Sequence, residues 1–244
     1  IDNDWLLTET HTTEDQFSKT KTVKSVKSDE PLKSYEVKTT DGLRPWQVNA
    51  VSKLCSAIKK WGCAIDGSDV GVGKTYNACG TARELDMDIV VVCPKAVMES
   101  WKRVIKNHFK MNHRLIGVIN YEMLRMGKKD SMIASYVKRR DTRRNEFVWN
   151  IPKSTLIIWD ESQKLKGANT KNSETCLSAL KQGYKMLFCS ATNATNPLEL
   201  KTVGMAIKLF ENSKQYYTWL YAHGVTNCLL YTSDAADDMQ CVDL

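Results

Sequence analysis

No two cysteines in this chain are spaced C-x-x-C, although there are eight cysteines in 244 residues. That excludes the common zinc-ribbon and dithiol redox signatures. Cys55, Cys63, Cys79, Cys93, Cys176 and Cys189 lie in apolar strand- or helix-like runs. They read as buried free thiols in a reducing, cytoplasmic setting, with neither disulfides nor zinc. No apolar run approaches the roughly 20 residues of a membrane-spanning helix, so no membrane partner is expected, and no secretory leader is visible. The chain opens on Ile1 where a start would have Met, which reads as a cut. Residues 1–40 lack periodicity and are rich in Thr, Ser and Lys. They read as a flexible or partly extended lead-in, with Glu36-Val37-Lys38 a candidate short strand.

The 244 residues are enough for one large α/β domain or two small ones, the hydrophobic share of 42% is ordinary for a globular protein, and the formal charge of +7 is compatible with a polyanionic partner. The most informative stretch is Ser68-Asp69-Val70-Gly71-Val72-Gly73-Lys74-Thr75. It follows the apolar run Cys63-Ala64-Ile65 and precedes a helix-compatible segment from Thr75 to Leu85. Strand, glycine-rich turn, Lys-Thr and helix form the layout of a phosphate-binding P-loop. Gly71 and Gly73 let successive N–H groups turn inward at an anion. Lys74 would reach the β/γ-phosphates of ATP, Thr75 would ligate Mg²⁺, and the helix N-terminus adds its partial positive charge. The strict pattern has Gly where this chain has Ser68.

Strand and helix patterns alternate through the rest. Pro45 suits a first helical turn, and Val48, Val51, Leu54, Cys55 and Ile58 follow at helical spacing. Ile89–Cys93 is a continuous β-branched run of the kind buried on both faces of a parallel sheet. Ala96–Phe109 reads as the next helix, with Val97, Trp101, Val104 and Ile105 inward. Leu115–Ile119, Leu156–Trp159 and Met186–Cys189 read as further strands, and Met123-Leu124 as the entry to a turn. Asn172–Gln182, with Cys176, Leu177 and Leu180 inside, Leu198–Phe210 and Gln215–Tyr221 read as helices. The basic stretch from Lys128 to Arg144 reads first as a solvated helix or loop and second as a phosphate-contacting surface. The implied fold is α/β, a doubly wound parallel sheet, whose ligands sit at the carboxyl ends of strands. The P-loop, Asp160-Glu161 and Ser190-Ala191-Thr192 all lie at such ends. There Asp160 would hold Mg²⁺ opposite Thr75, and Glu161 would orient or deprotonate the attacking water.

Taken in order, Leu43-Arg44-Pro45-Trp46-Gln47, Asp69-Val70-Gly71-Val72-Gly73-Lys74-Thr75, Val92-Cys93-Pro94-Lys95, Asn120-Tyr121-Glu122, Asp160-Glu161-Ser162-Gln163 and Ser190-Ala191-Thr192 resemble the first RecA-like domain of a superfamily 2 helicase. The Leu-Arg-Pro-aromatic-Gln entry, Trp101 seven residues after Pro94, and Lys164-Leu165-Lys166 resemble the Swi/Snf-like and viral or phage branch. The resemblance implies an ATP- and Mg²⁺-dependent motor on nucleic acid, DNA in preference to RNA. It implies that Arg44 and Gln47 read adenine, and that Asp69, Val70, Gly71, Val72, Gly73, Lys74 and Thr75 hold the phosphates. It further implies that Lys74, Asp160 and Glu161 carry hydrolysis. Gln163, Ser190 and Thr192 would couple nucleotide state to the track, and Lys95, Asn120 and Tyr121 would lie near the nucleic-acid backbone. Gln163 departs from the Asp or His of DEAD- and DEAH-type members, which leaves the coupling geometry open.

By this reading, residues 41–225 are the ATP-binding domain, and the second RecA-like domain that supplies arginine fingers to the γ-phosphate is missing. Cys228–Asp238 and Cys241–Leu244 resemble a translated sequencing-library adapter, so residues 226–244 read as a non-native tail. That tail carries Asp234, Asp237, Asp238 and Asp243 and no Lys or Arg, so the remainder is more basic than the whole. Two alternatives stay open at this point: a nucleic-acid-binding module that binds ATP without turnover, and a P-loop kinase or transport-type ATPase. The second leaves Gln47 and Ser190-Ala191-Thr192 without a purpose.

Overall fold

The computed structural model describes residues 33–127, 131–138, 145–167, 170–192 and 197–223. The tail 226–244 and nearly all of the lead-in lie outside them. Five strands form one sheet in the order β1-β7-β6-β2-β3. They are β1 (Cys63–Asp66), β2 (Asp88–Cys93), β3 (Leu115–Asn120), β6 (Thr155–Asp160) and β7 (Lys185–Cys189). Every pairing among them is parallel. The expected parallel α/β sheet is therefore present, and β2 is buried on both faces, as its β-branched run implies.

Side chains alternate along each strand, so the sheet builds two cores. Val90, Val92, Ile157, Trp159, Met186 and Phe188 face one side. Helices α4 (Tyr121–Met126), α5 (Lys171–Lys181) and α6 (Lys201–Ala206) cover that side with Leu124, Cys176, Ala179 and Val203. Ile89, Val91, Cys93, Ile158, Leu187 and Cys189 face the other. There α1 (Pro45–Trp61), α2 (Lys74–Glu84) and α3 (Met98–Arg103) pack Leu54, Ile58, Ala78, Cys79 and Trp101 against them. Pro45 at the start of α1 and left-handed Gly62 after its end delimit that helix. Helix α3 runs on into a π-helical turn over Val104–His108. Helix α7 (Ser213–Ala222) closes the described chain through a satellite cluster of Phe210, Tyr216 and Leu220. No helix among the described residues is long and apolar enough to cross a membrane.

Four local expectations are corrected. Glu36-Val37-Lys38 forms no strand among the described residues, and Lys38 lies at a bend. The Lys38 and Thr39 N–H groups instead donate to the buried Glu84 carboxylate at 2.7 and 3.1 Å. Arg83 donates to the Asp41 and Thr39 carbonyls, so this segment is strapped to the end of α2. Met123-Leu124 does not lead into a turn but lies inside α4, which starts because the Asn120 side chain accepts the Met123 N–H. Leu180 is partly buried and packs against the core as expected, but Leu177 does not join it, and Ser173, Thr175 and Ala179 lie inside with Cys176.

The fourth correction concerns the basic stretch. Its described part is a short loop over residues 131–133 followed by a strand. It enters β4 (Ala134–Lys138), which pairs antiparallel with β5 (Asn145–Trp149). Residues 128–130 and 139–144, with most of the basic side chains, lie outside the described chain. The hairpin is held by aromatic edges. Tyr136 meets Phe147 at 5.2 Å, Phe147 meets Trp149 at 5.7 Å, and Trp149 meets Trp159 of the main sheet at 5.9 Å. Each such pair adds about 0.5–1.5 kcal/mol beyond its buried area.

The six described cysteines are free and buried. Burial pushes the Cys55 and Cys93 thiols up to about 12 and Cys63 to about 11, and it raises Cys79, Cys176 and Cys189 as well. Thiolate is the reactive form. Iodoacetamide at mildly alkaline pH should therefore leave all six unmodified in the native protein and alkylate them after denaturation, as read by peptide mapping. Rapid native labelling of Cys93 or Cys189 would contradict the placement of β2 and β7.

Candidate active site

Parallel pairing brings five strand ends to one edge: Asp66, Cys93, Asn120, Asp160 and Cys189. The loop after β1 reverses through Gly71 at φ 86° and Gly73 at φ 98°, and Gly73 caps α2. Buried Asp66 anchors it. One Asp66 oxygen accepts the Ser68 hydroxyl at 2.6 Å and the Ser68 N–H at 3.2 Å, and the other accepts the Asn77 amide at 2.9 Å. Ser68 thus has a use where the strict pattern has glycine: it ties the loop back to its own strand. The Lys74 ammonium donates to the carbonyls of Ser68 (2.6 Å) and Asp69 (2.8 Å), inside the curl of the loop. Thr75 follows it in the first turn of α2.

Gln47 is buried beside this loop. Its Oε1 accepts the Arg44 N–H at 2.9 Å, and its Nε2 donates to the carbonyls of Val72 (3.3 Å) and Gly73 (3.4 Å). The start of α1 is therefore latched to the P-loop. Between them opens a cleft of about 810 Å³ walled by Arg44, Trp46, Gln47, Gly73, Tyr76 and His108. The Arg44 guanidinium lies 5.4 Å from the Trp46 ring centre, and Tyr76 meets His108 edge-on at 4.8 Å. His108 Nε2 donates to the Gly42 carbonyl at 2.8 Å. A flat aromatic base beside a phosphate loop suits such walls. Sequence reasoning missed Trp46, Tyr76 and His108. Tyr76 is flagged only by following Lys-Thr, and His108 by nothing local.

Across the edge, one oxygen of the Asp160 carboxylate accepts the Trp101 indole N–H at 2.7 Å, and the other accepts the Glu161 N–H at 3.1 Å. Burial raises the pKa of Asp160. The Trp101 hydrogen bond opposes that rise, the Glu161 charge adds to it, and Lys74 opposes it. A partly desolvated carboxylate next to a second one gains strongly from a cation. Each of its oxygens keeps a further lone pair. Among the described residues no cluster of three or more His, Cys, Asp or Glu could hold a metal ion. Thr75 and Asp160 are instead two hard oxygen donors, a set that fits Mg²⁺ shared with phosphate and water.

Glu161 adopts a left-handed backbone at φ 54°, ψ 54°, a strain of about 1–2 kcal/mol for a non-glycine residue. Its exposed carboxylate accepts the Gln163 Nε2 at 2.6 Å. Gln163 Oε1 accepts the Ser190 hydroxyl at 2.7 Å, a proton shared with the Thr192 carbonyl at 2.9 Å. Gln163 thus bridges Glu161 to Ser190-Ala191-Thr192 despite departing from Asp or His. Among the residues expected at nucleic acid, Lys95 is exposed. Tyr121 and Asn120 are not, which corrects that expectation. Tyr121 is 2% exposed and donates its hydroxyl to the Asp160 carbonyl at 2.8 Å. Asn120 is 6% exposed and caps α4. Side chains spent inside the domain cannot lie along a phosphodiester backbone.

The loop yields a direct test. A Cβ on Gly73 would fall 2.5 Å from Gln47 Nε2, whereas one on Gly71 would meet nothing within 4 Å. Both positions are left-handed, so each alanine costs about 1–2 kcal/mol of backbone strain. Gly73→Ala should lower unfolding stability further than Gly71→Ala in urea melts. Equal losses would show that Gln47 does not press on the loop.

With this geometry in hand, comparison with known proteins is informative. The family model described as the SNF2-related domain matches residues 7–216. A protein of Acanthamoeba polyphaga mimivirus named "Putative ATP-dependent RNA helicase" is 32% identical over 177 residues, covering 67% of this chain and 32% of that protein. A Drosophila melanogaster SWI/SNF-related matrix-associated actin-dependent regulator of chromatin, subfamily A-like protein 1, is 31% identical over 175 residues, covering 70% of this chain and 22% of that protein. The chain thus spans a third or less of these relatives. The solved SWI2/SNF2 ATPase core domain of Sulfolobus solfataricus superposes with a TM-score of 0.50 at 17% identity, covering 77% of this chain and 39% of that one, a likeness of fold.

Proposed function

This chain belongs to the SNF2-related domain family, and on that basis we propose that it is the first RecA-like half of an ATP-dependent helicase or translocase acting on nucleic acid. The observation that carries this reading is a row of groups along one edge that ends in a hydrogen-bonded chain. It runs from the phosphate loop, through Lys74 and Asp160 on one edge, to Glu161, Gln163 and Ser190 by hydrogen bonds of 2.6 and 2.7 Å. A hydrolase alone needs the first part of that row. A motor needs the second, because a change at the γ-phosphate must leave the site.

In this reading Asp69, Val70, Gly71, Val72 and Gly73 wrap the phosphates with backbone N–H groups. Lys74 leaves the loop carbonyls for the β/γ-phosphates. Arg44, Trp46, Tyr76 and His108 enclose the adenine, with Gln47 at the cleft floor. Thr75 and Asp160 would hold Mg²⁺, which when bound neutralises charge on the transferring phosphoryl group. Glu161 holds the attacking water, and its bond to Gln163 reports that step to Ser190 and Thr192. Exposed Lys95 follows the end of β2 on the same edge of the sheet and would face the track. DNA is the favoured track, supported by the chromatin-regulator name of the Drosophila relative and the +7 charge. The mimivirus name points to RNA. Turnover at a useful rate would need a second RecA-like half in the parent protein, a reading supported by the share of its relatives that this chain spans. The buried free thiols support a reducing, intracellular setting.

ATP turnover by the full-length parent, measured with and without DNA or RNA, tests the proposal. Stimulation by nucleic acid is expected, larger with DNA; no stimulation by either would overturn the motor reading. Glu161→Gln should keep nucleotide affinity and lower turnover about 10²-fold or more, the usual contribution of a positioned general base. Lys74→Ala should lose nucleotide affinity itself. Turnover retained in both variants would show the roles to be misassigned.

A further inference from the structure

The geometry points to Trp101 as the positioning residue that orients the Asp160 carboxylate toward its magnesium subsite; this rests on the nucleotide-site reading above. Trp101 is 1% exposed and lies on the inner face of α3. Packing alone does not require its indole nitrogen to find a carboxylate. The indole nitrogen of Trp159, equally buried, has no partner. Trp101 instead donates to Asp160 at 2.7 Å, a charge-assisted bond of good length.

The hydrogen bonds around Asp160 divide cleanly. Tyr121 holds the main-chain carbonyl at 2.8 Å. The Glu161 N–H, on the adjacent residue, touches one carboxylate oxygen at 3.1 Å and moves with it. Trp101 is the contact that fixes the carboxylate from a different element. Its helix follows β2, the neighbour of β6 in the sheet, so it reports the position of one strand end to the next. Without the indole, the adjacent Glu161 charge pushes Asp160 away from its present rotamer. Groups that orient a metal-binding carboxylate in this way typically control metal affinity by about 10- to 100-fold.

The test titrates Mg²⁺ against a fluorescent N-methylanthraniloyl ATP bound to this chain and to Trp101→Phe. The phenyl ring keeps most of the bulk and removes the N–H. The Mg²⁺ concentration for half-maximal tightening should rise by about 10-fold or more in the variant, while affinity without Mg²⁺ is unchanged. Benzothienylalanine incorporated at position 101 keeps the bicyclic shape and places sulfur where the N–H was, so it should give the same shift even if the phenylalanine variant folds poorly. Ile105→Val, in the buried π-helical turn that continues α3, should lower thermal stability and leave the Mg²⁺ dependence alone. An unshifted Mg²⁺ dependence with benzothienylalanine, or equal losses with and without Mg²⁺, would overturn the role of Trp101. If the unsubstituted chain binds no nucleotide under either condition, the nucleotide-site reading falls and the inference falls with it.

Discussion

Everything at the candidate site depends on the parallel register across β7. Cys189 pairs with Asp66 on one side and with Asp160 on the other. Two carboxylates far apart in sequence are thereby fixed two strand spacings apart, about 10 Å. Only parallel strands put every carboxyl end on one edge, and parallel strands require crossovers that cover both faces. The two hydrophobic cores are therefore the condition for the site as well as for stability. If β6 slipped by one residue against β7, Trp159 would move to the wrong core and Asp160 would leave the edge.

The polar groups at that edge are held in pairs whose logic is desolvation. Asp66 is buried and accepts from Ser68 and Asn77. Asp160 is partly buried and accepts from Trp101 and Glu161. Glu84, at the far end of α2, is buried and accepts from two backbone N–H groups of the preceding segment. A buried carboxylate left unpaired is costly, so each anchors a piece of chain that would otherwise be loose. Glu161 is the exception. It is exposed and sits in a strained left-handed backbone, with its side chain bound to Gln163. Strain kept at an exposed carboxylate, next to more buried and hydrogen-bonded ones, marks where movement is cheapest.

Much of this was legible in the chain. Short apolar runs, β-branched in β2, identified the parallel strands, and helical spacing placed α1, α2 and α5 to within a residue or two. The glycine turn before Lys74 and the strand ending at Asp160 were legible because both depend on short local patterns. The β4–β5 hairpin was not. Its stabilising contacts are aromatic edges between strands, joining residues 10 or 11 apart, and the basic stretch masked its alternation. Asn120 and Tyr121 were placed at the right strand end but turned outward. Whether a side chain at a strand end points to solvent or to the neighbouring strand is set by what packs there.

The sequence by itself determined the fold class, the order along the chain of the five strands of the main sheet, and the local motifs on which the proposed nucleotide site rests. These follow from periodicity and backbone preference, which are properties of contiguous residues. Tertiary structure decided which groups those residues meet. Trp101 meets Asp160, Gln47 meets the phosphate loop, Gln163 joins Glu161 to Ser190, and Tyr76 and His108 wall a cleft. Those partners lie on different elements, and only the close packing of both cores on one sheet brings them within hydrogen-bonding or ring-contact distance.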